Sequence, residues 1–250
     1  MAIHDQPLDL VRLTATAEPG QNDGAPSYGQ ETRRTPASAI EAIRGVRSCG
    51  SPRPGDVHTF GYHESRRAPT ATFPMMIPPS LSTERLLLEP LGRQHSRGMF
   101  LLWSREEVCR YSGPALDWAG DPIRLPARIR AESDKIIEFF ECAAVADRGF
   151  RWAVLQREGE EFVGSVGFNS LSPAAGLAFH LRPEFWGLGL MREAAEAGLG
   201  WLRMQRPMLQ VEAFIEPGNV SSIRLARRLG FQTTGIIHDG AERYLLGTSA

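Results

Sequence analysis

The spacing of apolar and polar residues divides this chain into an irregular first part and a patterned second part. Residues 1–74 carry few apolar positions, no sustained period and repeated clusters of proline and glycine. Such a segment cannot bury enough apolar surface to offset the entropy lost on ordering. We therefore expect a disordered leader over 1–74 and a folded domain over 75–250. One hypothesis is that the natural chain starts at Met75 or Met76 and that the leader is an optional tail or a misassigned start.

From about residue 80 onward, the apolar spacing predicts strands and helices in mixed order. Apolar residues at every third or fourth position predict helices over 94–103, 106–111, 127–146, 190–205 and 220–229. Short runs bounded by turn residues predict strands over 85–89, 150–156, 162–169, 177–181, 209–215, 231–237 and 242–246. Short turns between consecutive strands predict antiparallel pairing, and the helix between the fourth and fifth strands predicts a parallel crossover. The sequence therefore predicts an α/β fold with a mixed, mostly antiparallel sheet and helices on both faces.

Charge and composition exclude several classes of function. The 250 residues carry a formal net charge of −1, so the chain has no general basic field to attract nucleic acid or an anionic membrane. No apolar run reaches the roughly 18 residues that a membrane span requires. The cysteines are widely spaced and form no CxxC pair, so they give no pattern for a metal. We expect a cytoplasmic protein, monomeric or homodimeric, with no metal, nucleic-acid or membrane partner.

The turn that follows the predicted fourth strand carries the strongest chemical signal. Gly187 and Gly189 stand where the strand ends and the next helix begins. A glycine-lined turn that opens a helix leaves backbone N–H groups unpaired, and the helix dipole adds partial positive charge at the same place. These two features together bind phosphate or pyrophosphate without a basic side chain. The turn therefore predicts a phosphorylated cofactor.

Four segments, taken together, resemble the GNAT acyltransferase superfamily, and more narrowly its branch of ribosomal-protein N-terminal alanine acetyltransferases. They are the opening strand 83–90, the strand 162–168, the glycine turn 183–189 with Glu193-Ala194 after it, and the helix region 219–231. Each motif alone is weak, and their order and spacing carry the resemblance over about 81–246. It implies a GNAT fold, in which the fourth and fifth strands splay apart.

The resemblance implies that the protein transfers the acetyl group of acetyl-CoA to an amine by direct attack on the thioester. The leading acceptor is a protein or peptide N-terminal amine. The alternative is a small-molecule amine such as an aminoglycoside, a polyamine or an amino acid. A third hypothesis is a CoA-binding module without catalysis, because two family positions lack their usual side chains. Ala226 stands where many members have a tyrosine, and Gly176 stands where the branch often has a glutamate.

The resemblance also implies which residues contact the cofactor. The pyrophosphate would lie on backbone amides of the glycine turn, and the splay would leave strand edges open to the pantetheine arm. Asn219 offers a donor and an acceptor to the same arm. Trp186 has two interpretations, packing against the sheet or stacking on the adenine. The expected cofactor-binding residues are Phe179, Leu181, Trp186, Gly187, Leu188, Gly189, Leu190, Met191, Asn219 and Ser222.

Ser222 is the expected donor to the leaving thiolate. It lies three residues after Asn219, where the resembled branch often has a serine, and the family tyrosine is missing. The alternative for Ser222 is an ordinary serine at a helix start that satisfies backbone N–H groups.

His180 is the expected general base, because its reference pKa is near neutral and it lies on the strand beside the splay. Glu212 and Glu216, on or just after the fifth strand, are the competing candidates.

Overall fold

The helices and strands given below come from a computed structural model, which describes residues 78–247, so the predicted leader lies outside them. The strands are β1 (Leu81–Ser82), β2 (Leu86–Pro90), β3 (Ala115–Leu116), β4 (Pro122–Ile123), β5 (Phe150–Gln156), β6 (Phe162–Leu171), β7 (Ala175–Leu181), β8 (Val211–Ile215), β9 (Phe231–His238) and β10 (Ala241–Leu246). The α-helices are α1 (Ser96–Trp103), α2 (Glu106–Cys109), α3 (Arg130–Val145), α4 (Leu190–Gln205) and α5 (Val220–Arg228).

One sheet contains eight of these strands, in the spatial order β1–β2–β5–β6–β7–β8–β10–β9. Its neighbouring strands are antiparallel except β7 and β8, which are parallel and are connected through α4. β3 and β4 form a separate small hairpin. The prediction of a mixed, mostly antiparallel sheet with one parallel crossover is confirmed.

The structure adds short strands that the apolar pattern did not predict. β1, β3 and β4 contain two residues each, which is too short for an alternation to be visible in the sequence. The third helix is also shorter at its start than the predicted 127–146. There Glu132 accepts the backbone N–H groups of Arg128 (2.6 Å) and Ile129 (3.2 Å), and this cap begins the helix at Arg130.

Two apolar clusters cover the two faces of the sheet, which confirms that helices lie on both sides. On one face α4 and α5 pack over a cluster that includes Phe150, Trp152 and Trp201, whose rings meet edge to face at 4.9 to 5.5 Å. On the other face α1 and α3 pack over a cluster that includes Trp103 and Phe140.

β7 and β8 separate soon after they begin. They pair only at Ala175 with Val211 and at Gly176 with Glu212, although β7 continues to Leu181 and β8 to Ile215. The facing edges of both strands therefore diverge toward their carboxyl ends. This is the predicted splay between the fourth and fifth strands of the core.

Candidate active site

The β7 edge that faces the splay carries backbone groups without a strand partner. The amide of Arg182 donates to the carbonyl of Val163 at 2.9 Å, and Leu181 lies opposite Gly164. Because antiparallel pairs alternate, the even-numbered residues of β7 bond to β6 while Phe179 and Leu181 direct their N–H and C=O groups toward the splay. The predicted pantetheine contacts at these two residues thus lie on an open strand edge.

Trp186 closes one end of this edge. Its indole N–H donates to the carbonyl of Leu181 at 2.9 Å, and its ring packs against both apolar clusters. The side chain therefore fastens the glycine turn to the end of β7, as the packing interpretation requires. The Leu181 carbonyl is consequently occupied, and the groups that remain on the edge are the N–H and C=O of Phe179 and the N–H of Leu181.

The glycine turn has the backbone conformation that its composition predicts. Gly187 and Gly189 have φ angles of +77° and +75°, in the left-handed region that disfavours other residues. Gly189 is the N-cap of α4 and has no side-chain cap, so the first amides of the helix have no intrahelical acceptor. Leu190 and Met191 bury their side chains in the core, which holds the helix start while leaving its amides outward.

A carboxylate behind the turn connects it to the β1–β2 hairpin. Glu193, in the first turn of α4, accepts Thr83 Oγ1 at 2.6 Å, the Arg85 amide at 2.8 Å and Arg85 Nε at 2.7 Å. Arg85 also donates to the carbonyl of Leu188 at 3.0 Å. Partial burial alone would raise the pKa of Glu193, but these hydrogen bonds and the charge of Arg85 outweigh it and lower the pKa below its ordinary value. Sequence reasoning missed this contact, although Thr83 and Arg85 belong to the opening motif.

Asn219 and Ser222 meet at the start of α5, and both are buried. Asn219 is the N-cap, and its Oδ1 accepts the Ser222 amide at 3.2 Å. The hydroxyl of Ser222 is fully buried and has no hydrogen-bond partner in the described part of the chain. Asn219, not Ser222, therefore caps the helix, and the Ser222 hydroxyl is left as a buried donor that a bound molecule can satisfy.

His180 lies on the opposite face of the sheet, beneath α1. Its side chain is fully buried, and its ring packs against Trp103 at an angle of 47°, with 4.4 Å between centroids. Its Nδ1 lies 3.4 Å from Arg151 NH1. A guanidinium only donates hydrogen bonds, so Nδ1 accepts and the proton of the neutral ring is on Nε2. The histidine thus turns one ring nitrogen toward a buried cation.

Arg151 is a buried cation, and it forms no salt bridge with any of residues 78–247. Its NH2 donates to Asn169 Oδ1 at 2.7 Å, and NH1 donates to the carbonyl of Ala178 at 3.2 Å. The guanidinium also lies 4.7 Å from the ring centre of Phe140. Burial lowers the pKa of Arg151 to about 9. The neighbour of His180 is therefore held by neutral acceptors and an aromatic face.

The two competing carboxylates differ in their surroundings. Glu212 pairs with Gly176 where the strands part, and its Oε2 accepts Arg243 Nε at 2.7 Å. Glu216 follows β8 and forms no ion pair among the described side chains. Near it, the Tyr111 hydroxyl donates to the carbonyl of Gly218 at 3.1 Å, which ties the α2 region to the turn before α5.

The described residues contain no group of histidine, cysteine and carboxylate side chains that could hold a metal. Among their helices, none has the length and apolar character to cross a membrane.

The family model for the acetyltransferase (GNAT) domain matches residues 85–232. The chain belongs to the GNAT acetyltransferase family. The matched region includes the open β7 edge, the glycine turn and the start of α5. This GNAT enzyme is accordingly an acetyl-CoA-dependent acetyltransferase, and the predicted fold and enzyme class are confirmed.

The curated relatives of this GNAT chain include two N-acetyltransferases from Bacillus species. It is 26% identical over 162 residues to the uncharacterized N-acetyltransferase YoaA of Bacillus subtilis, a match that covers 64% of this chain and 86% of YoaA. It is 25% identical over 163 residues to the uncharacterized N-acetyltransferase p20 of Bacillus licheniformis, again covering 64% of this chain and 86% of p20.

Solved structures with the same fold include ribosomal-protein acetyltransferases. RimL, a ribosomal L7/L12 α-N-protein acetyltransferase in complex with coenzyme A, has a TM-score of 0.54 and 17% identity, covering 67% of this chain and 97% of RimL. The ribosomal-protein-S5-alanine acetyltransferase of Vibrio fischeri has a TM-score of 0.53 and 17% identity, and the match covers 67% of this chain and 94% of that enzyme. The microcin C7 self-immunity acetyltransferase MccE, in complex with acetyl-CoA and AMP, has a TM-score of 0.52 and 16% identity, and the match covers 65% of this chain and 92% of MccE.

Proposed function

We propose that this GNAT enzyme transfers the acetyl group of acetyl-CoA to the N-terminal amine of a protein or peptide. The observation that carries acetyl transfer is the parting of β7 from β8 after Gly176 and Glu212. It leaves the backbone of Phe179 open beside a glycine turn that presents helix amides. The acceptor class is supported by the opening-strand, turn and α5 motifs of the chain, which resemble those of the ribosomal-protein branch.

The residues of the chain suit each part of acetyl-CoA. The amides from Gly187 to Met191 would bind the pyrophosphate, because they lie at a helix start and the glycines allow close approach. The open edge at Phe179 and Leu181 would pair with the pantetheine arm as an added strand. When bound, acetyl-CoA supplies the activated thioester.

Ser222 is our proposed donor to the sulfur. As the amine nitrogen bonds to the carbonyl carbon and gives its proton to the base, the C–S bond breaks, and the negative charge that develops on sulfur needs a hydrogen-bond donor or a proton. The Ser222 hydroxyl is buried, and the described residues leave it without an acceptor. Ser222 can therefore donate to the sulfur without breaking a bond within the described fold.

Three side chains compete to take the proton of the amine. His180 has a near-neutral reference pKa, yet its Nδ1 accepts from Arg151. Glu212 is paired with Arg243, whereas Glu216 has no ion-pair partner among the described residues. The pH dependence of kcat/KM in His180→Gln, Glu212→Gln and Glu216→Gln identifies the base, since its removal abolishes the acidic limb of the profile.

The test of the proposed function is the release of free CoA thiol from acetyl-CoA with a panel of acceptors. The panel contains short peptides with varied N-terminal residues, aminoglycosides, polyamines and amino acids. Release with peptides alone supports the proposal, and release with small amines alone replaces it with the small-molecule alternative. Binding of acetyl-CoA without turnover on any acceptor favours the CoA-binding module.

A further inference from the structure

The glycine turn is fastened from behind by residues of the β1–β2 hairpin. The Glu193 carboxylate accepts hydrogen bonds from the Thr83 hydroxyl and from the backbone amide and Nε of Arg85. Arg85 NH1 donates to the carbonyl of Leu188. The hairpin itself is held in place, because Arg157 NH1 donates to the Thr83 carbonyl at 3.0 Å. A fixed part of the sheet thus holds one carbonyl of an otherwise flexible turn.

That carbonyl sets the direction of the next amide. In a planar trans peptide, the C=O of Leu188 and the N–H of Gly189 point in opposite directions. Because Arg85 holds the Leu188 carbonyl toward the hairpin, the Gly189 N–H is directed away from the hairpin. The Gly189 N–H is therefore a hydrogen-bond donor on the exposed side of the turn.

The turn does not enforce this orientation by itself. Gly187 and Gly189 both have positive φ, and glycine adopts positive and negative φ about equally readily. Rotation of the peptide between Leu188 and Gly189 changes the φ angle of Gly189, which has no Cβ to restrict it. The hydrogen bond from Arg85 is the contact that selects one orientation.

We propose that Arg85, oriented by Glu193, is a positioning residue that fixes the peptide between Leu188 and Gly189 with its N–H toward the pyrophosphate of acetyl-CoA. This inference rests on the proposed function, which assigns the turn to that pyrophosphate. Arg85 itself acts on the side of the turn that faces the β1–β2 hairpin, through its hydrogen bond to the backbone carbonyl of Leu188.

The test is the affinity of the full chain for CoA, measured by isothermal titration calorimetry. Arg85→Met removes the donors but keeps the aliphatic stem, and we expect its Kd for CoA to rise about tenfold or more. Arg85→Lys keeps the charge but cannot bond Glu193 and the Leu188 carbonyl with one fork, so its Kd should also rise. Glu193→Gln should weaken binding in the same direction. Thermal melting followed by circular dichroism verifies that each variant is folded.

Arg192→Met is the matched control for charge. Arg192 lies in the same first turn of α4, but among residues 78–247 its Nε donates only to Glu196, at 2.8 Å. We expect its Kd for CoA to change by less than about threefold, because exposed charges are screened at physiological salt. Equal weakening of CoA binding by Arg85→Met and Arg192→Met would overturn the inference. The loss of one positive charge near the turn would then explain the effect without any fixed peptide.

S-acetylpantetheine separates positioning of the turn from general damage. This acetyl donor lacks the pyrophosphate. Arg85→Met should therefore leave kcat/KM for S-acetylpantetheine unchanged while it weakens the binding of CoA. An equal loss with S-acetylpantetheine, or an unchanged Kd for CoA, would overturn the inference. Failure of the unaltered enzyme to bind CoA would instead overturn the proposed function, which distinguishes the two.

Discussion

Arg151 donates to Nδ1 of His180 across 3.4 Å in the interior of the sheet, between β5 and β7. Gly167 lies between Arg151 and Ala178 in the strand order, and an added Cβ there would lie 2.2 Å from the carbonyl oxygen of Phe150. Neutral groups hold the other side of the guanidinium, as described above. The relationship assigns the tautomer of His180, because a cation that only donates leaves Nδ1 as the acceptor.

We predict that the neutral ring of His180 carries its proton on Nε2. The measurement is nitrogen-15 NMR of protein labelled in its histidines, with His180→Gln used to assign the signal. Arg151→Met should abolish the preference for this tautomer, whereas Arg148→Met, which removes an exposed arginine three residues earlier, should preserve it. A protonated Nδ1 in the unaltered protein would contradict the prediction.

Gly189→Val should abolish detectable binding of acetyl-CoA while the domain remains folded. Valine is strained at a φ of +75°, and its side chain obstructs close approach to the amides of the turn. Calorimetry measures the affinity, and circular dichroism verifies the fold. The control is Gly200→Ala on the exposed side of α4, where an added Cβ meets nothing within 4 Å. Unchanged affinity in Gly189→Val would refute the assignment of the pyrophosphate.

Two helical glycines should respond in opposite ways to alanine. At Gly98 in α1, an added Cβ would lie 2.2 Å from Cγ of Phe162, so Gly98→Ala should lower the free energy of unfolding by about 1–3 kcal/mol. At Gly200 the same change should raise it by about 0.5–1 kcal/mol, because alanine loses less backbone entropy in a helix. Urea denaturation measures both, and equal effects at the two sites would argue against this packing of α1 on β6.

Ser222→Ala should lower kcat by about a hundredfold or more, with the Kd for CoA changed by less than about twofold. The melting temperature should not fall, because the variant removes a buried hydroxyl that has no partner among residues 78–247. Ser221→Ala, next to it on the same helix, is the matched control and should retain full turnover. Stopped assays of thiol release measure kcat, and normal turnover in Ser222→Ala would assign the proton to water or another group.

Affinity for CoA should depend on the ionised form of Glu193. The pKa of this carboxylate is lowered in the folded protein, so its contribution is complete above the ordinary value of 4.5 and is lost as the pH falls through the lower folded pKa. We expect the contribution of Glu193 to CoA binding to be constant from pH 7 down to the ordinary carboxyl pKa of 4.5 and to decrease only as the pH falls further, through the lowered pKa of the folded protein. The difference in Kd between the unaltered enzyme and Glu193→Gln, measured across this range, reports the effect. A difference that disappears already near pH 6 would contradict it.

Much of the candidate site was predictable because its signals are local. Gly187 and Gly189 are recognisable from their place between a strand and a helix. The spacing of Asn219 and Ser222 marks the start of α5. His180 was predictable as a residue of β7, but its neighbour Arg151 was not. They are 29 residues apart in the chain and meet only because β5 and β7 both flank β6.

The sequence by itself determined the order of helices and strands, the class of cofactor site and the family resemblance. These depend on side-chain periodicity and on backbone preferences within a few residues. Tertiary structure alone decided the occupied carbonyl of Leu181 and the contact of Arg85 with Glu193, 108 residues away. The physical reason is that such contacts follow from strand order and register, which short-range patterns do not encode.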